Sequence, residues 1–159
     1  MRVRGYTLIE LLVVLAILGL LATMVLPLAQ MTVERQQEAE LKRSLWTIRD
    51  ALDAYKAARV AGALGAVDPS DTSPPYPPTL KSLTVLVPDA RPTHRGEMLR
   101  FLRRVPRDPF ADPALADDAT WGLRSYESEA DHPHAGTNVY DVYSLSTGTG
   151  LNGVPLSQW

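Results

Sequence analysis

The chain has 159 residues, no cysteine, and a formal net charge of −2 from 16 Lys and Arg against 18 Asp and Glu. That balance excludes the basic stripe of a nucleic-acid-binding surface, and the missing Cys excludes a disulfide framework. Apart from an apolar N-terminal segment, about 130 residues remain, enough for one small domain.

Residues 5–28 read Gly-Tyr-Thr-Leu-Ile-Glu followed by an uncharged apolar run from Leu11 to Leu28. The length predicts a membrane-spanning helix over residues 6–28. Arg2 and Arg4 precede it, which places the short N-terminal side in the cytoplasm and the rest of the chain outside. A secretory signal peptide does not fit: the run is too long, and Met24-Val25-Leu26-Pro27-Leu28 offers no small-x-small cleavage site. Glu10 is the one charge in the segment, and a carboxylate at a membrane helix calls for a cationic partner. Neither Arg2 nor Arg4 stands at the helical spacing of three or four from it. A cut after Gly5 would make Tyr6 the N-terminus. Its new amine would lie four residues before Glu10, on the same helix face, and could also meet Glu10 of a neighbouring chain.

Gly5-Tyr6-Thr7-Leu8-Ile9-Glu10 with its apolar run resembles the class III signal of type IV prepilins and pseudopilins. The resemblance implies a leader of residues 1–5, cleavage after Gly5 by a prepilin peptidase/methyltransferase on the cytoplasmic face, and N-methylation of Tyr6, where the family usually has Phe. Losing Arg2 and Arg4 takes the formal charge from −2 to −4. The resemblance also gives the glutamate at the Glu10 position the task of recruiting and registering subunits in a filament. Gly19 and Pro27 interrupt the run, and Pro27 removes a backbone donor and favours a kink. In the family, a glycine and a proline at matching places bracket a segment that loses helicity on assembly.

Past residue 28 the pattern turns amphipathic. Leu41, Leu45, Ile48, Leu52 and Tyr55 recur at helical steps. Glu38 with Lys42 and Arg49 with Asp53 stand at i, i+4 on the exposed sides. Gly62 and Gly65 end the pattern, which predicts an amphipathic helix over 29–61 and a globular region over 62–159. Ala66–Thr79 holds prolines at 69, 74, 75, 77 and 78 and reads as a surface loop. A short helix follows from Thr79, with Leu80, Leu83 and Leu86 on one side. Glu97–Arg104 reads as a further helical turn or two burying Met98, Phe101 and Leu102, its Arg100, Arg103 and Arg104 forming a solvated face. Residues 121–126 and 139–144 alternate as half-buried strands and form an antiparallel pair. A glycine-rich tail through Gly148, Gly150 and Gly153 ends in Trp159, whose apolar area predicts docking on the domain. The expected fold is α+β and pilin-like: a long N-terminal helix on a small antiparallel sheet, with a loop-rich C-terminal region.

Tyr76-Pro77-Pro78-Thr79-Leu80, the Val105–Phe110 turn, the Tyr140–Ser144 strand and the glycine-rich tail are similar to the major, G-type pseudopilins of type II secretion. Residues 112–119 depart from that pattern, and the absence of cysteine also leans away from an adhesive pilin. The resemblance implies a structural subunit of a periplasmic pseudopilus. It would be inserted in the inner membrane with its C-terminal domain in the periplasm. Its partners would be further copies of itself, minor pseudopilins, the inner-membrane assembly platform, the peptidase/methyltransferase and, before assembly, membrane lipid. The alternatives are a type IV or minor pilin for adhesion, motility or DNA uptake, and a membrane-anchored periplasmic enzyme or binding domain.

No catalytic residue is expected. Ser125, Ser144 and Ser146 lack an activating motif. Asp131-His132-Pro133-His134 reads as a solvated turn, as zinc needs three or four convergent ligands. Gly148-x-Gly150-x-x-Gly153 has no helix behind it to hold a phosphate. The family's C-terminal loop binds calcium through carboxylates and carbonyls, yet Ser144–Trp159 contains no Asp or Glu. No cofactor and no metal ligand are therefore assigned. The nearest candidate is a weak site made by Asp141 with carbonyls.

Overall fold

The structure, a computed structural model, describes residues 5–65, 74–129 and 131–159, with the backbone alone for residues 23–30. The chain divides into two compact units, Met1–Gln37 and Glu38–Trp159.

One helix, α1, runs Leu8–Val60. Its assignment is unbroken through positions 19 and 27, so the helix-losing segment expected between Gly19 and Pro27 is a question about assembled subunits. In the first unit the described side chains from Leu8 to Leu21 that are large and apolar are all exposed, from 49% at Val14 to 76% at Leu8. Among the described residues no helix is long and apolar enough to cross a membrane. The side chains that complete the expected span lie at 23–30, outside that description.

In the second unit the helical period produces the expected core stripe. Leu41, Leu45, Ile48 and Leu52 are each at most 1% exposed, each burial contributing about 1.5–3 kcal/mol. Tyr55 closes the stripe edge-on to Phe101, ring centroids 5.3 Å apart. The helix stops at Gly62, whose φ of +73° suits glycine. Ala63 N–H donates to Ala58 O at 2.9 Å and Gly62 N–H to Arg59 O at 3.1 Å. This is the paired closure that satisfies a helix's last carbonyls.

The stripe packs against Leu80, Leu83, Leu102, Trp121, Val139, Val142 and Leu156. A 3-10 helix at Leu80–Thr84 is capped by Thr79, whose hydroxyl accepts from Ser82 N. It buries Leu80 and Leu83, whereas Leu86 is 46% exposed: a 3-10 turn repeats every three residues only while it lasts, and this one ends at Thr84. Two small antiparallel sheets follow in place of the single sheet expected. β1 (Val87–Pro88) pairs with β2 (Met98–Leu99), and β3 (Trp121–Arg124) pairs with β4 (Asp141–Ser144). The register of the second sheet sets Trp121 against Ser144 and Arg124 against Asp141. At Gly122 a Cβ would lie 2.3 Å from the Tyr143 ring, so a larger residue there would have to displace that ring.

The helical reading of Glu97–Arg104 is corrected. Residues 98–99 are strand, and Phe101 and Leu102 N–H both donate to Leu83 O at 3.2 and 2.8 Å. Backbone pairing to β1 and to the 3-10 helix, non-local in sequence, wins over a local helical pattern. Leu102 is buried as expected, but Met98 is 49% exposed. The divergent 112–119 stretch ends in a 3-10 helix at Asp117–Thr120. Arg107 braces it, donating to Leu115 O at 2.6 Å and to Asp112 O.

Candidate functional site

Among the described residues, organised polar chemistry is found at the start of α1, at the buried Asp108, in the C-terminal segment and around Asp89.

Gly5, Tyr6 and Thr7 lie in exposed, non-helical backbone just before α1. Thr7 is the N-cap. Its hydroxyl accepts from Glu10 N–H at 3.3 Å, and the Glu10 carboxylate accepts from Thr7 N–H at 3.4 Å. This is a reciprocal capping box. Its Thr-x-x-Glu signature before an apolar run is a sequence-level mark of a helix start. It turns the Glu10 carboxylate back toward the helix start, where the macrodipole favours negative charge and where an amine on residue 6 would stand. A Cβ added at Gly19 would meet nothing within 4 Å, so packing within a single chain does not require glycine there.

Asp108, 1% exposed, sits in the Val105–Phe110 turn. One carboxylate oxygen accepts from Ser144 Oγ at 2.6 Å, the other from Phe110 N–H at 2.8 Å. Ser144 Oγ in turn accepts from Ser146 N–H at 3.1 Å. The serine–carboxylate pair ties β4 to the turn. Trp121 adds a second tie, donating from Nε1 to Pro106 O at 2.8 Å.

The C-terminal segment is held by α1. Arg49 Nε donates to Asp141 Oδ1 at 2.8 Å, and its Nη2 donates to Val142 O at 3.2 Å and Trp159 O at 2.9 Å. The expected Arg49–Asp53 pairing gives way to this strand contact, since the guanidinium fork reaches a carboxylate and carbonyls together. Glu38 likewise accepts from Leu151 N–H at 2.5 Å. Lys42 stands 4.3 Å over the Trp159 ring, a cation–π contact. Trp159 is docked as expected, half-buried and packed against the core.

Among the described residues, the ligand atoms that converge belong to Asp89, His94 and Glu97, not to Asp131, His132 and His134. Asp89 is already engaged: Arg91 donates to both its oxygens, at 3.0 to 3.1 Å from Nε and 2.5 Å from Nη2. That hydrogen bonding holds the carboxyl down at about 2. His94 Nδ1 and Glu97 lie 2.9 Å apart. Arg91 thus competes for the one buried carboxylate of the cluster, and His94 and Glu97 contact each other at its exposed side. An open cleft of about 490 Å³ borders Tyr55, Arg59 and Phe101, and its lining holds no paired acid and base.

Residues 1–26 match the family described as prokaryotic N-terminal methylation motif. The chain is 32% identical over 159 residues to the type II secretion system core protein G of Klebsiella pneumoniae, spanning 98% of this chain and 90% of that relative. No solved structure matches.

Proposed function

The chain belongs to the family of the type II secretion system core protein G, the major pseudopilins, and we infer from this how it is processed and assembled. It is a pseudopilin subunit for type II secretion. The observation that carries this is the whole-chain match joined to the methylation motif at residues 1–26; a type IV pilin shares the motif but not the match along the domain.

The processing and assembly residues follow from the start of α1. Cleavage falls after Gly5, in the exposed non-helical lead, and the freed Tyr6 amine is methylated. The apolar helix holds the subunit in the inner membrane, with the C-terminal domain in the periplasm, until a copy joins the filament. Glu10 then changes partner. In the free chain its carboxylate closes the capping box with Thr7; in the filament it accepts the Tyr6 amine of a neighbour. An ion pair between opposite charges replaces a long carboxylate–amide bond at 3.4 Å, in a setting poor in water where the difference is largest. Apolar side chains exposed along Leu8–Leu21 supply the contact area, first to lipid and then to neighbouring helices. Gly19 and Pro27 soften the helix for that exchange. The role is structural, and packing does the work that chemistry does in an enzyme. The partners are further copies, the minor pseudopilins and the assembly platform.

Glu10→Leu tests this. The variant is expected to insert in the membrane and be cleaved after Gly5 as the wild type is, but to form no filaments. Normal filament yield from it would overturn the assembly role.

A further inference from the structure

The G-type pattern implies a calcium ion at the C-terminal loop, and the residues of this chain do not fit one. Calcium takes six to eight oxygens, several of them charged. Residues 144–159 hold no Asp or Glu. Several of the segment's acceptors are already engaged: Gly148, Gly150 and Val154 carbonyls accept from Leu156, Gly153 and Gly150 N–H at 2.8 to 3.0 Å, and Asn152 Oδ1 accepts from Val154 N–H at 3.0 Å. Neighbouring carboxylates are engaged as well: Asp141 by Arg49, Glu38 by Leu151 N–H, and Asp108 by Ser144 Oγ and Phe110 N–H. The one orphaned buried polar atom of the segment is Trp159 Nε1, a donor, which is the wrong polarity for a cation. Two positive side chains, Arg49 and Lys42, already stand against the segment.

We propose that Arg49 is the structural cation of this domain, its guanidinium tying β4 to the C-terminal segment so that the fold needs no divalent metal. The geometry supports a clamp and not a surface ion pair. One guanidinium joins the Asp141 carboxylate, the Val142 carbonyl and the Trp159 carbonyl, and so connects α1, β4 and the end of the chain. It acts beside two packing contacts. Leu156 is buried in the core at 2% exposure, and the Trp159 ring lies so close to Gly150 that a Cβ there would come within 2.3 Å. A permanently charged planar fork suits this task better than lysine, whose ammonium is a point charge and reaches fewer acceptors in fixed geometry.

The test uses the full chain in detergent micelles, with calcium chloride or with EGTA, followed by tryptophan fluorescence on heating and by limited proteolysis within residues 145–159. The wild type is expected to melt at the same temperature and to be cut at the same rate in both buffers. Arg49→Ala is expected to be cut about tenfold faster or more in that segment, with no protection from calcium, and Arg49→Lys to fall between. Asp141→Asn, which keeps the shape of the strand and removes the charge, serves if Arg49→Ala does not fold, and is expected to raise the cutting rate in the same direction. A wild-type melting temperature raised several degrees by calcium would overturn the proposal. So would wild-type cutting rates in both the Arg49 and Asp141 variants. Neither readout depends on filament assembly, so this inference can fail while the pseudopilin assignment stands.

Discussion

Asp108→Ala should be among the most damaging single substitutions in the domain. The carboxylate is 1% exposed and Ser144 is fully buried. Removing the acceptor strands the Ser144 hydroxyl and the Phe110 N–H, which now donate to it at 2.6 and 2.8 Å. A buried donor left without a partner costs about 1–3 kcal/mol. Allowing for rotation of the hydroxyl, the loss is about 3 kcal/mol, a large share of the roughly 5–15 kcal/mol that stabilises a domain. At about 4 °C per kcal/mol for a unit of this size, Tm falls by about 12 °C. Asp108→Asn keeps the volume and one carbonyl for Phe110, so about 1–2 kcal/mol and about 4–8 °C are expected. Adding Ser144→Ala to Asp108→Ala removes one stranded donor and should recover part of the loss. Trp121, 3% exposed and packed beside this turn, reports unfolding by fluorescence. An Asp108→Ala protein melting within about 2 °C of wild type, or a double variant worse than the sum of the singles, would refute the reasoning.

The Asp89–Arg91 pair sets an acid limit. The folded carboxyl sits at about 2 against an ordinary 3.8, so its contribution is complete above about pH 4 and is lost as the pH falls through about 2. Urea midpoints of wild type and Asp89→Asn should therefore differ at neutral pH and converge toward pH 2; a gap independent of pH would contradict the pairing. Gly150→Ala places a Cβ 2.3 Å from Trp159 and 2.9 Å from Asn152 Oδ1. Relieving that overlap costs about 1–3 kcal/mol and should lift Trp159 off the domain, seen as red-shifted emission and lost quenching by Lys42; unchanged emission would count against the docking described.

How far the sequence could be read depended on whether a feature was local. The stripe from Leu41 to Tyr55 was legible because helical period and burial are the same signal, and Gly62 was legible as a stop because a positive φ leaves little choice of residue. The β3–β4 pair was legible from alternation on either side of a turn-rich stretch. Glu97–Arg104 misled because its periodicity is local while its hydrogen bonds go to Leu83 and to β1. The single expected sheet became two for the same reason. At the candidate site, Gly5, Tyr6 and Glu10 stand out in a linear motif. The Thr7–Glu10 box is carried by a three-residue spacing that the membrane-charge reading of Glu10 masks. Arg49, Asp108 and Asp141 were not legible as a set. Their partners lie dozens of residues away, and a surface pairing of Arg49 with Asp53 was the simpler local choice.

The central claim is that this chain is processed into a pseudopilin, and mass spectrometry of the mature N-terminus tests it most directly. The expected mature chain begins at N-methylated Tyr6, with residues 1–5 absent. A mature protein that retains Met1 through Gly5 and carries no methyl group on Tyr6 would contradict it.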